Sequence, residues 1–342
     1  MIAAVTGATG FVGRALVAAL LAEGYTVRAL VRPGVAPDRR ARIEHLGAEL
    51  VPGELGEEVT VEGLVRGADV VFHAAAAVGA WQPRALCEAV NLVGTEVLLD
   101  ACRAGGAKRL VYVSCASVTA GLGHRRYVDE SHPHPARFPD AYHSTKALAE
   151  DLVVAASGSG FDTVVVRPGQ VWGPDDTSCL VRMLGLAAHG ALPLVDDGEA
   201  LAATTYIVNL VDVLLRAATR PEAPGQVYFV TDDEMVRQRV FVTRLFGAVG
   251  VPAPRRRALF WPAYLGAWWD ERRHAATART RSEVIEAGRA AQLNIQRVRD
   301  ALGYRPVVNL ETGFARVKQW VDATGLDAVR AGAVALQPPA VR

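Results

Sequence analysis

Two residues capable of proton transfer, Tyr142 and Lys146, lie four positions apart in the segment Ala141-Tyr142-His143-Ser144-Thr145-Lys146. In a helix this spacing places both side chains on one face. A phenol with an ordinary pKa near ~10 exchanges protons poorly at neutral pH, whereas a nearby ammonium stabilises the phenolate and lowers that pKa. The chain has lysine only at positions 108, 146 and 318 and uses arginine elsewhere. The pair therefore predicts an acid/base tyrosine tuned by Lys146; the alternative is a surface pair without function.

A second chemical signal is the glycine-rich segment Val5–Gly13, which follows a short apolar strand and enters a helix predicted over Phe11–Glu23. Gly7 permits a tight turn, Gly10 lets a pyrophosphate approach the backbone, and Gly13 lets the helix pack closely on the sheet. The helix N-terminus offers unpaired N–H groups and a positive dipole end to phosphates. Because this pattern lies between a strand and a helix, it predicts a dinucleotide site. A glycine-rich turn without a ligand is the alternative.

The end of the second strand distinguishes between the two nicotinamide cofactors. In dinucleotide folds a carboxylate there binds the 2′-hydroxyl of NAD, whereas an arginine pairs with the 2′-phosphate of NADP. This chain has Val31-Arg32-Pro33 and no acid nearby, and a guanidinium can hold a phosphate through two hydrogen bonds. Arg32 therefore favours NADP(H) over NAD(H), with Arg39 and Arg40 as possible helpers. The alternative is a solvated arginine at a strand end.

The elements that must position these residues alternate between apolar strands and helices in the first half of the chain. Strands are predicted over Met1–Val5, Tyr25–Val31, Ala48–Val51, Asp69–His73, Arg109–Ser114 and Phe161–Arg167. This order is typical of an α/β fold with a doubly wound parallel sheet of the Rossmann type. Residues 1–170 form the predicted dinucleotide-binding domain. Residues 171–330 form a smaller, mostly helical substrate lobe interleaved with the last strands, and 331–342 a loose tail.

Composition excludes several classes of function. A formal net charge of +1 gives no electrostatic reason to expect nucleic acid as a partner. The four cysteines show no metal-ligand spacing, so no metal is expected, and their scatter favours a reducing cytoplasm. The chain begins directly with a strand rather than a signal peptide, and no run of 18 apolar residues could span a membrane. This composition predicts a cytoplasmic protein, and a homodimer is expected.

Taken together, the motifs resemble the extended short-chain dehydrogenase/reductase family. The segments that carry the resemblance are Thr6–Gly13, His73-Ala74-Ala75, Asn91-Leu92-Val93-Gly94-Thr95, Val111–Val118, Tyr142–Lys146 and Arg167-Pro168-Gly169 with Trp172-Gly173-Pro174. Two later segments, Gly225–Asp232 and Leu302–Pro306, are most similar to the 3β-hydroxysteroid dehydrogenase branch. That branch also includes bacterial reductases of 2-alkyl-3-keto acids.

The resemblance implies a role for each matched position. Tyr142 is the general acid/base, and Lys146 binds the nicotinamide ribose and tunes Tyr142. His73 could be structural or face the ligand. With the glycine and charge arguments added, the expected cofactor contacts are Gly7, Thr9, Gly10, Phe11, Val12, Gly13, Arg32, Glu54, Leu55, His73, Ala74, Ala75, Asn91, Tyr142, Lys146, Pro168 and Val171.

The chain departs from the family pattern at the end of the fifth strand, where Cys115 aligns with the catalytic Ser or Thr. A thiol is a weak hydrogen-bond donor, so carbonyl polarisation would rest largely on Tyr142. Because side chains alternate along a strand, Ser114 should point to the face opposite Cys115. Ser117, two residues after Cys115, should point to the same face as Cys115. Glu54 stands where the family usually has Asp before leucine. The segment Tyr206-Ile207-Val208-Asn209 lacks the acid that related chains carry before the Asn.

The aromatic segment Leu259–Trp269 contains three of the six tryptophans. It could line a pocket for a large apolar substrate, touch a membrane surface peripherally, or form an aromatic core helix. No second basic cluster suited to a diphosphate is evident. The sequence therefore favours a small lipophilic substrate, such as a steroid-like, polyketide or long-chain β-keto compound.

Three functions remain open. The first is an NADP(H)-dependent oxidoreductase that interconverts a ketone and a secondary alcohol, with Tyr142, Lys146 and Cys115 as catalytic residues. The second is a nucleotide-sugar epimerase or dehydratase with tightly held NAD, which an acid in place of Arg32 would have favoured. The third is a non-catalytic NADP-binding sensor or scaffold, an option that Cys115 keeps open.

Overall fold

A computed structural model describes residues 1–79, 81–158, 160–273 and 279–329. The tail predicted over 331–342 lies outside the described residues. The core of the protein is one seven-stranded sheet, whose strands in chain order are β1 (Ile2–Thr6), β2 (Thr26–Val31), β3 (Glu49–Pro52), β4 (Val70–His73), β5 (Arg109–Val113), β6 (Asp162–Pro168) and β7 (Val227–Val230). All neighbouring pairs are parallel, in the spatial order β7-β6-β5-β4-β1-β2-β3. The predicted fold class is confirmed, and the six predicted strands are placed within one residue at each end.

Helices cover both faces of this sheet and also form part of the C-terminal lobe. They are α1 (Phe11–Ala22), α2 (Pro37–Leu46), α3 (Glu58–Val65), α4 (Arg84–Cys87), α5 (Gly94–Ala104), α6 (Ala141–Ala155), α7 (Cys179–Ala188), α8 (Ile207–Thr219), α9 (Gln238–Ala248), α10 (Phe260–Arg272), α11 (Arg281–Gly288), α12 (Gln296–Leu302) and α13 (Leu310–Thr324). Alternate strand residues point to opposite faces. Thus Val5 packs in the core beneath α1 and α8, and its neighbour Ala4 packs in the core beneath α3, α5 and α6.

The helical region from Arg84 to Ala104 is not uniform. Between α4 and α5 the backbone takes one π-helical segment, Glu88–Val93. Such widened turns occur mostly at functional positions, because they rotate one side chain out of the regular helical pattern. Here the segment contains Asn91, which is buried.

The C-terminal part does not fold as a separate layer. Strand β7 is the edge strand beside β6, and α8, α12 and α13 pack into the core on the α1 face. The rest forms four short two-stranded pairs: Gln170–Trp172 with Thr204–Tyr206, Leu194–Val195 with Arg257–Ala258, Leu201–Ala202 with Val236–Arg237, and Arg125–Val128 with Ala291–Leu293. A third small core joins Phe260 and Ala267 of α10 to Val284 and Ile285 of α11. Within the described residues, no helix has both the length and the apolar character needed to cross a bilayer.

Candidate active site

The turn after β1 has the shape that a pyrophosphate requires. Gly7 adopts φ +71°, and a Cβ there would lie 2.6 Å from the backbone of Ala74 and Ala75. A Cβ on Gly13 would lie 2.1 Å from the Gly7 carbonyl oxygen. The helix can therefore approach the turn this closely only because residue 13 is glycine. Gly10 is exposed, donates from its N–H to the Gly7 carbonyl at 3.0 Å, and begins α1 without a side-chain cap. These features leave the start of α1 open to an anion and fit a dinucleotide.

The remaining residues of the turn divide between surface and core. Thr9 and Val12 are half-buried, whereas Phe11 packs into the core with 8% of its surface exposed. Thr9 therefore offers its side chain to a ligand, and Phe11 can contribute mainly its backbone N–H at the helix start.

On the adenosine side, Arg32 is exposed directly after β2, and Arg39 and Arg40 are exposed on α2. Glu54 is also exposed after β3, and its N–H binds the Glu57 carboxylate at 3.2 Å. Leu55 is 7% exposed and packs so close to α5 that a Cβ on Gly94 would lie 2.7 Å from its side chain. The strand ends thus present positive charge where the sequence predicts it, with Leu55 fastening the segment to α5.

Of the two alternatives for the His73 side chain, the structure favours the structural one, because this side chain has no exposed surface. Its Nδ1 lies 2.7 Å from Thr6 Oγ1 and its Nε2 lies 2.9 Å from Thr95 Oγ1. Thr95 donates its one hydrogen to the Asn91 carbonyl at 2.6 Å, so it must accept from His73 Nε2, and Nδ1 accepts from Thr6. Burial lowers the pKa of His73 to about 3, which keeps the ring neutral. The side chain therefore supports the turn after β1 from within. Ala74 and Ala75 are half-buried, and their cofactor contacts remain predictions.

The Asn91 side chain also has a structural role. Its Oδ1 accepts from the Ala77 N–H at 2.8 Å, and its Nδ2 donates to Thr145 Oγ1 at 2.9 Å. The π-helical segment thus ties the loop after β4 to the catalytic helix α6. The cofactor contact predicted for Asn91 remains a prediction, because both ends of its amide are engaged with the protein.

Lys146 lies at the centre of the predicted catalytic group and is 2% exposed. Its Nζ donates to the Val113 carbonyl at 2.7 Å and sits 4.0 Å from the centre of the Tyr112 ring. Burial lowers the pKa of Lys146 to about 8, although Cys115 and Glu150 act in the opposite direction. The ammonium is therefore held at the carboxyl end of β5.

Tyr142 is half-buried one helical turn before Lys146. Burial raises the pKa of Tyr142 well above its usual value, and Cys115, including a hydrogen bond with it, raises this pKa further. The spacing of Tyr142 and Lys146 predicts a lowered pKa for Tyr142, and the structure shows the opposite direction. The physical reason is that the ammonium is engaged by Val113 and Tyr112 and does not outweigh the loss of solvent around the phenol.

Among the three candidate donors beside Tyr142, Ser114 is committed elsewhere. Its Oγ donates to Glu150 Oε2 at 2.5 Å, and this carboxylate is paired with the buried Arg167 side chain at 3.0 Å through Nε. Ser114 thus points away from Cys115, as strand alternation predicts. Ser117, in the short 3₁₀ turn Ala116–Thr119, donates to Cys115 Sγ at 3.2 Å. The structure therefore couples Cys115 and Ser117 and removes Ser114 from consideration.

Behind Ser117 lies a pair that the sequence analysis missed. His143 Nε2 is 3.1 Å from Ser117 Oγ, and its Nδ1 is 2.8 Å from the Asp140 carboxylate. Ser117 gives its one hydrogen to Cys115, so it must accept from His143 Nε2; both ring nitrogens then carry protons. Burial opposes this charge, but Asp140 and Glu286 raise the pKa of His143 well above its usual value. The result is a buried imidazolium at the end of a donor chain that runs from His143 through Ser117 to Cys115.

Asp140 explains why this pair forms. It is the N-cap of α6, and its carboxylate accepts from the backbone N–H of His143 at 2.9 Å as well as from the ring. Burial raises the pKa of Asp140, but its bonds with His143 and Ser282 outweigh this and lower it. Glu286 of α11 lies 3.6 Å from His143 Nε2 and is 45% exposed, so this carboxylate connects the group to solvent. The Asp-x-x-His spacing at a helix start was the available sequence signal.

The segment after β6 completes the edge of the site. Pro168 is buried and Val171 is half-buried in the strand Gln170–Trp172. A buried carboxylate, Asp232, holds this region: it accepts from Trp172 Nε1 at 2.8 Å and Asn209 Nδ2 at 2.8 Å. The segment Tyr206–Asn209 contains no acid of its own. Asp232, 23 residues further along the chain, places a carboxylate beside Asn209.

Comparison with known proteins identifies a family. The model of the 3-beta hydroxysteroid dehydrogenase/isomerase family matches residues 4–260. A 4-hydroxy-2-methyl-3-oxo-4-farnesyl-3,4-dihydroquinoline-1-oxide ketoreductase of Stigmatella aurantiaca is 37% identical over 321 residues, which cover 92% of this chain and 95% of that protein. A 2-alkyl-3-oxoalkanoate reductase of Stenotrophomonas maltophilia is 34% identical over 331 residues, covering 92% and 97%.

Similarity in structure extends to a different kind of enzyme. The UDP-glucuronic acid 4-epimerase from Bacillus cereus, solved with UDP-glucuronic acid and NAD, superposes with a TM-score of 0.74. The match covers 94% of this chain and 99% of that one at 20% identity. At this identity the likeness shows a shared fold and carries no information about substrate.

Proposed function

The chain belongs to the 3-beta hydroxysteroid dehydrogenase/isomerase family, and from this membership we propose an NADP(H)-dependent ketoreductase that interconverts a ketone and a secondary alcohol on a lipophilic substrate. Membership establishes an oxidoreductase that uses a nicotinamide cofactor. The choice of NADP(H), the acid/base role of Tyr142 and the ketone are the proposal. The observation that carries it is the position of Tyr142 and Cys115 at the carboxyl end of β5, the same sheet edge as the glycine turn after β1.

The cofactor would lie along this edge. The backbone of the Gly7–Gly13 turn would hold its pyrophosphate, the exposed Arg32 its 2′-phosphate, and Lys146 its nicotinamide ribose. Lys146 can make that contact because its ammonium has three donors, of which the structure engages one with Val113. When bound, the cofactor supplies or accepts the hydride, and a side chain of the protein supplies or accepts the proton.

Tyr142 handles that proton. In the reducing direction its hydroxyl gives a proton to the developing alkoxide, and in the oxidising direction the phenolate takes one from the alcohol. The raised pKa of Tyr142 favours the protonated phenol, the form that reduction requires. Lys146 would stabilise the phenolate left behind.

Cys115 would be the second donor to the substrate oxygen. An isolated thiol donates weakly, but Cys115 accepts from Ser117, which in turn accepts from the His143 imidazolium. Hydrogen bonds arranged in one direction polarise each other, so the S–H group is a better donor than a thiol alone. The charge of His143 would thus act on the alkoxide through two intervening side chains, Ser117 and Cys115.

The substrate class rests on two relatives, one named for a farnesylated quinoline oxide and one for 2-alkyl-3-oxoalkanoates. Both names describe a ketone carried by an apolar body. Such a substrate suits the aromatic lobe around α10, where Phe260 and Tyr264 stack with ring centres 5.8 Å apart.

A nucleotide-sugar epimerase or dehydratase is the second candidate, since solved enzymes of that kind share the fold. The exposed Arg32 in place of an acid argues against it. A non-catalytic NADP sensor is the third, and the donor chain onto Cys115 argues against it, because a scaffold would not need a buried charge beside Tyr142.

The test is to follow the absorbance of reduced nicotinamide while the protein is mixed with NADPH and a panel of substrates. A long-chain 2-alkyl-3-oxo ester and a 3-oxosteroid represent lipophilic ketones, and UDP-glucuronic acid represents nucleotide sugars. We expect NADPH consumption with a lipophilic ketone only. Isomerisation of the sugar without net NADPH consumption would support the second candidate, and NADPH binding without any turnover would support the third.

A further inference from the structure

The outer face of α10 is apolar and exposed. Trp261, Leu265 and Trp269 follow one another at intervals of four residues, and they are 54%, 60% and 49% exposed. This spacing places them in one stripe along the helix. Leu259, immediately before the helix, is also apolar and 70% exposed.

The inner face of the same helix is also apolar. Phe260 and Ala267 are 3% exposed and pack against Val284 and Ile285 of α11. A surface helix normally has polar residues on the face opposite its buried stripe. A helix with apolar residues on both faces is therefore expected to make a second apolar contact. The inner contact is satisfied within the chain, so the outer stripe is the part that needs an explanation.

Positive charge lies at both ends of this stripe. Arg255, Arg256 and Arg257 precede the helix and are exposed, and Arg272 and Arg273 end it. The guanidinium carbon of Arg272 is 4.0 Å from the centre of the Trp268 ring, and that of Arg273 is 4.6 Å from the Trp269 ring. Among the nearby acids, Asp197 pairs with Arg257, and Asp270 and Glu271 lie in the last turn of α10. The five arginines outnumber these three acids.

We propose that the outer face of α10 is a docking surface for an anionic phospholipid bilayer. Tryptophan and leucine enter the boundary between headgroups and acyl chains, while arginines bind lipid phosphates. At 13 residues the helix is too short to span a bilayer and would lie in its plane. A second copy of the chain is a poorer occupant, because two-fold symmetry would bring both sets of arginines to the same small interface.

Contacts with neighbouring segments already fix the position of α10. Arg281 of α11 binds the Glu271 carboxylate through Nε at 2.6 Å and donates to the Pro139 carbonyl at 2.7 Å. Pro139 directly precedes Asp140, the residue that begins the catalytic helix. Docking would therefore need no refolding, and it would bring the lobe beside the active site to the surface where lipophilic compounds are dissolved. The proposal does not depend on the identity of the substrate or on catalysis.

The test is sedimentation of the full chain with vesicles of phosphatidylcholine alone and of phosphatidylcholine mixed with phosphatidylglycerol. We expect binding to the mixed vesicles only, weakened by salt. Each arginine near a charged bilayer contributes about fivefold in affinity, so Arg272→Gln with Arg273→Gln should weaken binding about 25-fold. Leu265→Ser with Trp261→Ser should weaken it at least tenfold.

Matched controls are Arg84→Gln, an arginine with 71% of its side chain exposed on α4, and Val59→Ser, 83% exposed on α3. Both should bind like the wild type, and all variants should keep its unfolding temperature. Failure of the wild type to bind mixed vesicles, or equal losses in the control variants, would overturn the proposal. Light scattering that shows a wild-type dimer and a monomeric Leu265→Ser variant, without vesicle binding, would overturn it in favour of an interface between copies.

Discussion

Replacing Ser117 with alanine should lower kcat about tenfold and leave KM unchanged. The change removes the 3.2 Å bond to Cys115 and leaves the His143 Nε2–H, now 3.1 Å from a serine oxygen, facing a methyl group. Loss of a donor in direct contact with a developing oxyanion typically costs about 10²–10³ in rate. Ser117 is one bond removed from the substrate, so a smaller loss, tenfold or ~1.4 kcal/mol of barrier, is expected.

The order of the hydrogen bonds predicts how the effects of single substitutions on kcat combine in double variants. His143→Gln keeps a donor toward Ser117 but loses the charge, and it should also lower kcat. Ser117 acts only through Cys115, so the double variant Ser117→Ala/Cys115→Ala should be no slower than Cys115→Ala alone. Cys115→Ser should match or exceed the wild type, because a hydroxyl is the better donor.

The assay is steady-state reduction of whichever ketone the wild type turns over, with kcat and KM measured separately. Ser131→Ala is the matched control, since this exposed serine binds only the nearby Asp129 among the contacts that the structure shows for its side chain. Losses for Ser117→Ala and Cys115→Ala that multiply in the double variant would refute a chain through Cys115. Wild-type activity of Cys115→Ala would remove Cys115 from catalysis altogether.

Three further predictions concern other parts of the site. Tyr142→Phe should abolish turnover and leave NADPH affinity nearly intact, whereas Lys146→Ala should damage both; a Tyr142→Phe variant with more than about a tenth of the wild-type kcat would show that another group is the acid/base. Arg32→Ala should weaken binding of NADPH but not of NADH in fluorescence titrations, and equal wild-type affinities for the two would contradict the role of Arg32. His73 is held neutral with its pKa near 3, while the unfolded chain takes up a proton below about pH 6.5. The contribution of His73 to the free energy of unfolding should therefore fall by about 1.6 kcal/mol from pH 6.5 to pH 5, and His73→Gln should lack this part of the slope in urea unfolding; an unchanged slope would contradict it.

The strands and the phosphate turn could be predicted from sequence because local rules govern them. Buried parallel strands appear as short apolar runs, and Gly7 and Gly13 are required by backbone contacts shorter than any Cβ allows. The π-helical segment around Asn91 could not be predicted, since its cause is a long-range bond to Thr145 on another helix. The alternation of side chains along β5 did predict that Ser114 and Cys115 would face opposite sides.

The charged partners of the site were harder to foresee. Glu150 and Arg167 are 17 residues apart in the sequence and become a buried pair only when α6 packs on β6. His143 reads as a neighbour of Tyr142 in the sequence, and only the fold shows that it faces Ser117. The expected lowering of the Tyr142 pKa by Lys146 was inferred from spacing alone, which cannot show that burial and competing partners decide the sign.

The central claim is hydride transfer between NADPH and a lipophilic ketone. It is tested most directly by incubating the protein with a long-chain 2-alkyl-3-oxo ester and NADPH deuterated at C4 of the nicotinamide, using each of the two C4 isomers in turn. Mass spectrometry should find one deuterium on the carbinol carbon of the product alcohol with one isomer and none with the other. An alcohol that carries no deuterium from either isomer, or the absence of any alcohol while UDP-glucuronic acid is converted, would contradict the proposed reaction.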